Sequence, residues 1–412
     1  MLKVWYSDES FAQYLIDHVP ALLKAERDGS LGRARLVESD ALRPGEFHRI
    51  PTHLKQILYL DAPDVVIERD NKPIASVEIS TEAGTGHDVF QRFGRIAAAV
   101  ERGVPALYVF PEGVWIPRRD RSGWDSLNPL IFRTLERLMT LYGVPALLHY
   151  YPTEYRTRCP EAPNGSDRGH VFDPSSTYAH HPDSGDGEMQ ALFEGLELIV
   201  SRALAGTVTP TLANERLFQG RREWMQAEFV RKGGADTRLS PETATKTVPS
   251  TAIVEYIQDC LHTQYVPGGF FAEREETVIY CVDSKEVRAD PYVGALAALD
   301  YLMCRVGRTF EDRDRNLAIA WGNVSSENGH LTVQSKKGNS VTKFTDPVKG
   351  LYSEPRKVLL GKAYSELKPK EIPRYLMQVR WGTAFTKRKE IRMLAYFADA
   401  ILFEDGALWR EG

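Results

Sequence analysis

Pro63-Asp64-Val65-Val66-Ile67-Glu68, then Asp70-Asn71-Lys72, then Pro73-Ile74-Ala75-Ser76-Val77-Glu78-Ile79-Ser80 is the stretch that decides the reading of this chain. Two short runs rich in β-branched residues flank a polar turn, the pattern of a β-hairpin. In that layout Asp64 opens the first strand, and Glu78 lies near the end of a second strand running back. The two carboxylates then converge at one end of the sheet. Val77 and Ile79 flank Glu78, so Glu78 points to the opposite face from both. On a strand covered on both faces, a buried glutamate needs a metal or a partner. Converging carboxylate oxygens, with the backbone carbonyl of Ile79, suit a hard cation such as Mg²⁺. Such a cation lowers the pKa of a bound water and neutralises charge on a phosphate and its leaving oxygen, which phosphodiester hydrolysis requires. The competing reading is that Asp64 merely starts a strand and Glu78 is an ion-paired or solvent-facing strand residue.

Outward from the hairpin, Gly84-Thr85-Gly86 leads into an expected helix from His87 to Arg102, ended by Gly103. That glycine loop either presents backbone N–H groups to a phosphate or is a plain connection. Val104–Phe110 reads as a buried strand, Leu127–Tyr142 as a helix and Val144–Tyr151 as a strand. Upstream, Phe11, Tyr14, Leu15, His18, Val19, Leu22 and Leu23 recur at helical spacing over Glu9–Arg27, with Pro20 as an interruption. This order predicts an α/β fold: a central mixed sheet flanked by helices, complete by about residue 152. Residues 153–186 are rich in Pro, Gly, Ser, Asp and His and read as a linker or mobile loop. Beyond them, helices are expected at Glu188–Leu204, Leu212–Arg231 and Tyr292–Val306, and strands at Thr277–Val282 and Leu317–Gly322. The expected organisation is thus a core over 1–152, a linker over 153–186, and an α+β recognition or dimerisation region over 187–412.

The hairpin with its carboxylates resembles the PD-(D/E)-x-K superfamily, which holds most type II restriction endonucleases. The resemblance is close over Leu58–Pro111 and loose over 1–152. It implies a restriction-endonuclease-like core in which Asp64 and Glu78 are metal ligands for Mg²⁺, with Mn²⁺ able to substitute. The helix carrying Gln91, Arg92 and Arg95 stands where the family places a helix that often supplies a basic or Gln residue to the site. The strand Pro105–Phe110 matches the family's next core strand. One position departs from the pattern: Ser80 stands where the family has lysine. The lysine orients or deprotonates the attacking water or neutralises charge in the transition state. Replacements are Arg92, the favoured one, or Gln91, Glu82 or Lys72, the last being at the far end of the hairpin. Ser80 itself is expected to hydrogen-bond a metal-bound water. Glu9 or Glu26 on the first helix would complete the metal site, or are solvated helix charges.

Charge divides the chain. Overall, 52 Lys+Arg face 56 Asp+Glu, a net −4. Residues 331–412 hold 16 basic and 9 acidic residues, a net +7, which leaves −11 for the rest. Lys336, Lys337, Lys343, Lys349, Arg356, Lys357, Lys387, Arg388, Lys389 and Arg392 lie here among Phe344, Tyr352, Tyr364, Tyr375, Trp381 and Phe385. That mixture suits phosphate contact along double-stranded DNA, with a few side chains reading base edges. The bland reading is a solvated basic face. Lys336-Lys337-Gly338-Asn339-Ser340 reads as a hairpin tip.

Other classes are disfavoured. No apolar run is long enough for a membrane span, the N-terminus lacks a secretory pattern, and GxxxxGK[ST] is absent, which excludes a P-loop nucleotide cofactor. Cys159, Cys260, Cys281 and Cys304 are scattered and read as interior thiols of a cytoplasmic protein. His170, His180 and His181 lack zinc-ligand spacing. The expectation is a Mg²⁺-dependent, sequence-specific endonuclease of the type II restriction class, acting as a homodimer on a palindrome. The alternatives are a repair, transposon or phage-defence nuclease of the same fold, or an inactive DNA-binding relative.

Overall fold

The computed structural model describes residues 1–31, 51–80, 88–116, 123–151, 181–206, 212–239, 243–261, 273–283, 290–309, 311–335, 338–341, 343–344, 358–359, 362–363, 393–394 and 396–409. The chain divides into two compact units, Met1–Thr237 and Arg238–Gly412.

The first unit begins with β1 (Leu2–Tyr6), α1 (Glu9–His18) and a short edge strand β2 (Glu26–Asp28). Asp8 caps α1 by accepting the Phe11 amide at 3.0 Å. The expected helix over Glu9–Arg27 stops at His18, because Pro20 has no N–H to continue it. The hairpin follows as β3 (Val65–Arg69) and β4 (Lys72–Ile79), antiparallel, with Val65 opposite Val77 and Arg69 opposite Lys72. Asp70 and Asn71 form its turn with φ of 48° and 63°, the left-handed pair whose twist matches that of the strands. The expected helix from His87 is tighter at its start: a 3₁₀ turn over Asp88–Arg92, then α2 (Phe93–Val100). The unit continues with β5 (Ala106–Pro111), a small hairpin β6 (Gly113–Ile116) and β7 (Gly123–Ser126), α3 (Leu130–Tyr142), β8 (Ala146–Tyr151), α4 (Gly187–Leu204) and α5 (Arg216–Arg231).

The sheet order is β2-β1-β3-β4-β5-β8. β1 and β3 pair antiparallel, as do β3 and β4, whereas β4, β5 and β8 run parallel. β4 and β5 are therefore central strands. α2 packs over both on one face, with α3 beside it against β8. α4 covers the other face: a Cβ at Gly195 would lie 3.7 Å from Leu107 Cδ2, and Leu107 is level with Val77 and Leu147. α1 joins that second face through Tyr14, whose ring meets Phe193 of α4 edge-on.

This packing corrects the expected domain boundary. α4 lies on β4 and β8, and α5 lies on α3 and β8, so 187–237 belong to the first unit and not to a C-terminal region. Without these helices, one face of the sheet would leave its apolar side chains in water.

The second unit has its own mixed sheet, ordered β17-β16-β11-β10-β9. Its elements are β9 (Thr243–Pro249), α6 (Ser250–Leu261), β10 (Glu276–Val282), α7 (Asp290–Leu299), β11 (Asn316–Ala320), the hairpin β12 (Asn323–Glu327) and β13 (His330–Gln334), the pair β14 (Val358–Leu359) and β15 (Lys362–Ala363), and the hairpin β16 (Ala400–Phe403) and β17 (Gly406–Trp409). Ile253 and Ile257 of α6 pack with Ile279, Ala318, Leu402 and Trp409 in its core. The expected helix Tyr292–Val306 changes to a π-turn over Asp300–Cys304. Asp300 there accepts from Arg305 at 2.6 Å and Arg313 at 2.6 Å, and Arg313 reaches on to Asp399 at 3.0 Å, all buried. The β12–β13 hairpin turns at Asn328-Gly329, with φ of 52° and 84°; Lys336 and Lys337 of the expected hairpin tip lie outside the described residues. Asn and Gly tolerate the left-handed conformation that the turn requires. Cys281 and Cys304 are buried free thiols, and Cys260 is half-buried. No helix of the described residues is long and apolar enough to cross a membrane.

Candidate active site

The hairpin brings Asp64 and Glu78 together. Asp64 stands just before β3 and Glu78 near the end of β4, and main-chain amides tie each carboxylate to the neighbouring strand end. The Asp64 amide donates to Glu78 Oε2 at 3.1 Å, and the Ile79 amide donates to Asp64 Oδ2 at 2.9 Å. Ser7, following β1, donates its amide to the Asp64 carbonyl at 2.9 Å and has its hydroxyl 3.4 Å from Asp64 Oδ1. Each carboxylate is thus aimed by main chain of the sheet rather than by a flexible loop. Both are buried, Glu78 to 1% exposure, as its place on a doubly covered strand requires.

The charge partner of Glu78 comes from the helix that follows. Arg95 on α2 donates through Nη1 to Glu78 Oε1 at 2.5 Å and through Nε to Asp61 Oδ2 at 2.5 Å. Arg95 is only 3% exposed and Asp61 is also buried. Burial opposes its charge, but Asp61, Glu78 and Asp64 around it outweigh that and hold its pKa above the ordinary arginine value. Arg92, one helical turn earlier, has its Nε 3.5 Å from the same Glu78 oxygen, with its side chain 27% exposed. Among the described residues, the carboxylates of Asp61, Asp64 and Glu78 thus lie with the guanidiniums of Arg95 and Arg92 in one cluster.

One more group belongs to this face. Tyr108 on β5 is level with Glu78 in the parallel pairing, so both side chains rise toward α2. Its hydroxyl is buried and has no hydrogen-bond partner among the described residues, and neither has Arg92 Nε. Burial, with smaller effects of Arg92, Glu78, Arg95 and Asp64, raises the pKa of the Tyr108 hydroxyl. It therefore stays protonated and remains a donor.

The donor set fits a hard divalent cation. Each carboxylate oxygen that accepts one N–H retains a second lone-pair site. Among the described residues no three Asp, Glu, His or Cys side chains form a ready-made metal cage, but Mg²⁺ commonly uses one or two carboxylates plus substrate phosphate oxygens. The Arg92 Nε–H and Tyr108 O–H, which have no hydrogen-bond partner among the described residues, are donors that phosphodiester oxygens on such a cation would satisfy.

The other anticipated residues fall as follows. Ser80 lies just past β4, buried, with its amide donating to the Val109 carbonyl at 2.9 Å and its carbonyl accepting from Tyr151 Oη at 2.9 Å. Gln91 is half-buried in the 3₁₀ turn before α2. Lys72 is at the hairpin tip, away from the carboxylates. Glu9 and Glu26 are exposed, and α1 sits on the opposite face of the sheet, so Glu9 does not join the cluster. Glu82 and the Gly84–Gly86 loop lie outside the described residues. So do Lys336, Lys337, Lys349, Arg356, Lys357, Lys387, Arg388, Lys389 and Arg392. Lys343 is described: it is exposed and its Nζ donates to the Gly338 carbonyl at 2.8 Å.

Two members of the cluster, Asp61 and Tyr108, are not marked by the sequence pattern, and a third, Arg95, was given less weight than Arg92. Asp61 lies just outside the Pro63–Ser80 stretch, and its spacing of three from Asp64 was a usable signal. Arg95 was noted on the helix but Arg92 was favoured, and their i, i+3 spacing puts both on one face. Tyr108 is masked by the apolar strand around it. No protein-family model, curated protein or solved structure matches the chain.

Proposed function

We propose that this protein is a Mg²⁺-dependent endonuclease that hydrolyses phosphodiester bonds of double-stranded DNA at a specific sequence, and that its first unit is a restriction-endonuclease-like core. The observation that carries this reading is the joining of the two strand ends by main chain, with the Asp64 amide on Glu78 Oε2 at 3.1 Å and the Ile79 amide on Asp64 Oδ2 at 2.9 Å, and with two guanidiniums reaching the same Glu78 oxygen. When bound, a divalent cation supplies a water of lowered pKa and positive charge on the phosphate. Asp64 and Glu78 hold the cation through hard oxygens. Arg95 and Arg92 supply the fixed positive charge that Ser80 cannot. The buried Tyr108 hydroxyl offers a neutral donor to an oxygen at the same place. Mn²⁺, with similar oxygen preference, substitutes for Mg²⁺. The basic stretch after residue 331 contacts DNA phosphates, and a two-fold homodimer brings two sites to the two strands of a palindrome.

A second reading has an observation in its favour. Arg95 ties both Asp61 and Glu78 while Ser80 replaces the motif lysine, which suits a DNA-binding protein whose core no longer cuts. Incubating the protein with mixed plasmid and phage DNA in Mg²⁺ or EDTA separates the two. Discrete fragments that require Mg²⁺ support the endonuclease. Retarded but intact DNA in both buffers replaces it with the non-cutting binder.

A further inference from the structure

Arg95 holds two carboxylates with two different nitrogens. Nε is on Asp61 and Nη1 is on Glu78, each at 2.5 Å. All three side chains are at most 3% exposed, so water screens these contacts little and charge competition at Glu78 is strong. Because the two bonds use separate nitrogens, the Glu78 contact can be given up while the Asp61 contact persists.

We infer that Arg95 is an electrostatic latch on the metal site: it occupies Glu78 until a divalent cation displaces it, and Asp61 is the holding residue that keeps the displaced guanidinium beside the site. This rests on the metal-dependent reading of Asp64 and Glu78. In the closed state Arg95 neutralises Glu78 and a cation must compete with it. In the open state Glu78 turns to the cation, Arg95 stays on Asp61, and its released Nη1 faces the place where a phosphate oxygen arrives. Asp61 is thus a positioning residue, not a ligand. Arg92, more exposed and 3.5 Å from Glu78, is the weaker competitor.

The latch predicts shifts of opposite sign at two neighbouring residues. Mn²⁺ binding to the DNA-free protein, read as free Mn²⁺ by electron paramagnetic resonance, is compared for wild type, Arg95→Met, Asp61→Asn and the double variant. Removing the competing cation makes R95M bind Mn²⁺ at least about tenfold more tightly. Removing the holder leaves Arg95 wholly on Glu78, so D61N binds more weakly than wild type. In the R95M background D61N has no further effect, since there is no guanidinium left to hold. Circular dichroism checks that each variant is folded. If R95M fails to fold, the double variant, with one buried acid fewer, replaces it and must bind more tightly than D61N alone.

Equal or weaker Mn²⁺ binding by folded R95M overturns the latch while leaving the metal site intact. Weakening by D61N that persists in the R95M background overturns the holding role and makes Asp61 a ligand. If neither wild type nor any variant retains Mn²⁺, the metal-dependent reading itself falls, and the latch with it.

Discussion

Glu78 shows how one residue constrains many. A carboxylate in the middle of a doubly covered sheet is tolerated only if its charge is matched; here Arg95 and the Asp64 amide match it. The need for a partner was legible from the alternation Val77-Glu78-Ile79. The identity of the partner was not, because the segment from Asp88 to Val100 could present Gln91, Arg92 or Arg95 depending on where the 3₁₀ turn gives way to the α-helix. His149 on β8 poses the converse case. It is fully buried, and burial followed by the nearby Arg221 charge pushes its pKa well below the ordinary value. Glu188 Oε2 lies 3.8 Å from its Nδ1, too far for a hydrogen bond, and already accepts from Arg221 at 2.8 Å. The imidazole is therefore neutral when folded. Below the unfolded value of about 6.5 the unfolded chain takes a proton that the folded chain refuses, so stability falls with falling pH by up to about 1.4 kcal/mol per pH unit. Glu188, raised by burial against the pull of Arg221, works in the opposite direction at lower pH. The difference between wild type and His149→Leu isolates the histidine: urea unfolding from pH 7 to pH 5 should show a shallower decline in H149L. Parallel declines would contradict a neutral buried His149.

At the scale of elements, the β3–β4 hairpin was legible because turn chemistry and strand composition agree. Asp70 and Asn71 both take positive φ, and Asn is among the few non-glycine residues that do so cheaply. Asn71→Val should destabilise the first unit by about 1–2 kcal/mol, measured as a lowered urea midpoint; an unchanged midpoint would show that the turn does not set the register. Other elements gave little signal. β1 is a short apolar run at the chain start that strand pairing, not composition, makes into a partner of β3. β9 is mostly exposed, so Thr243–Pro249 lacks the alternation that marks a half-buried strand. The ion network of Asp300, Arg305, Arg313 and Asp399 joins residues far apart in sequence, which no local pattern could pair.

At the scale of the molecule, the first unit needs α4 and α5. A boundary near 152 matches the end of β8 but leaves the Val77–Leu107–Leu147 face uncovered. The sequence suggested that boundary because 153–186 has linker composition, and composition is silent on what packs after a linker. A fragment of residues 1–237 should therefore unfold cooperatively in urea, whereas 1–152 should aggregate or lack a sharp transition. A cooperative 1–152 fragment would contradict the packing role of these helices. Charge asymmetry also lives at this scale: the basic stretch is placed in the second unit's share of the chain and the carboxylate cluster in the first, so recognition and chemistry are proposed to reside in different units.

The most direct test of the central claim compares binding and cutting in one variant. Glu78→Gln keeps the shape of the side chain and removes its charge. Single-turnover cleavage of end-labelled duplex in Mg²⁺ should fall on the order of a thousandfold or more, while gel retardation of the same duplex stays at the wild-type level. Wild-type cleavage by E78Q would place the chemistry elsewhere and end the assignment of Asp64 and Glu78 as the active pair.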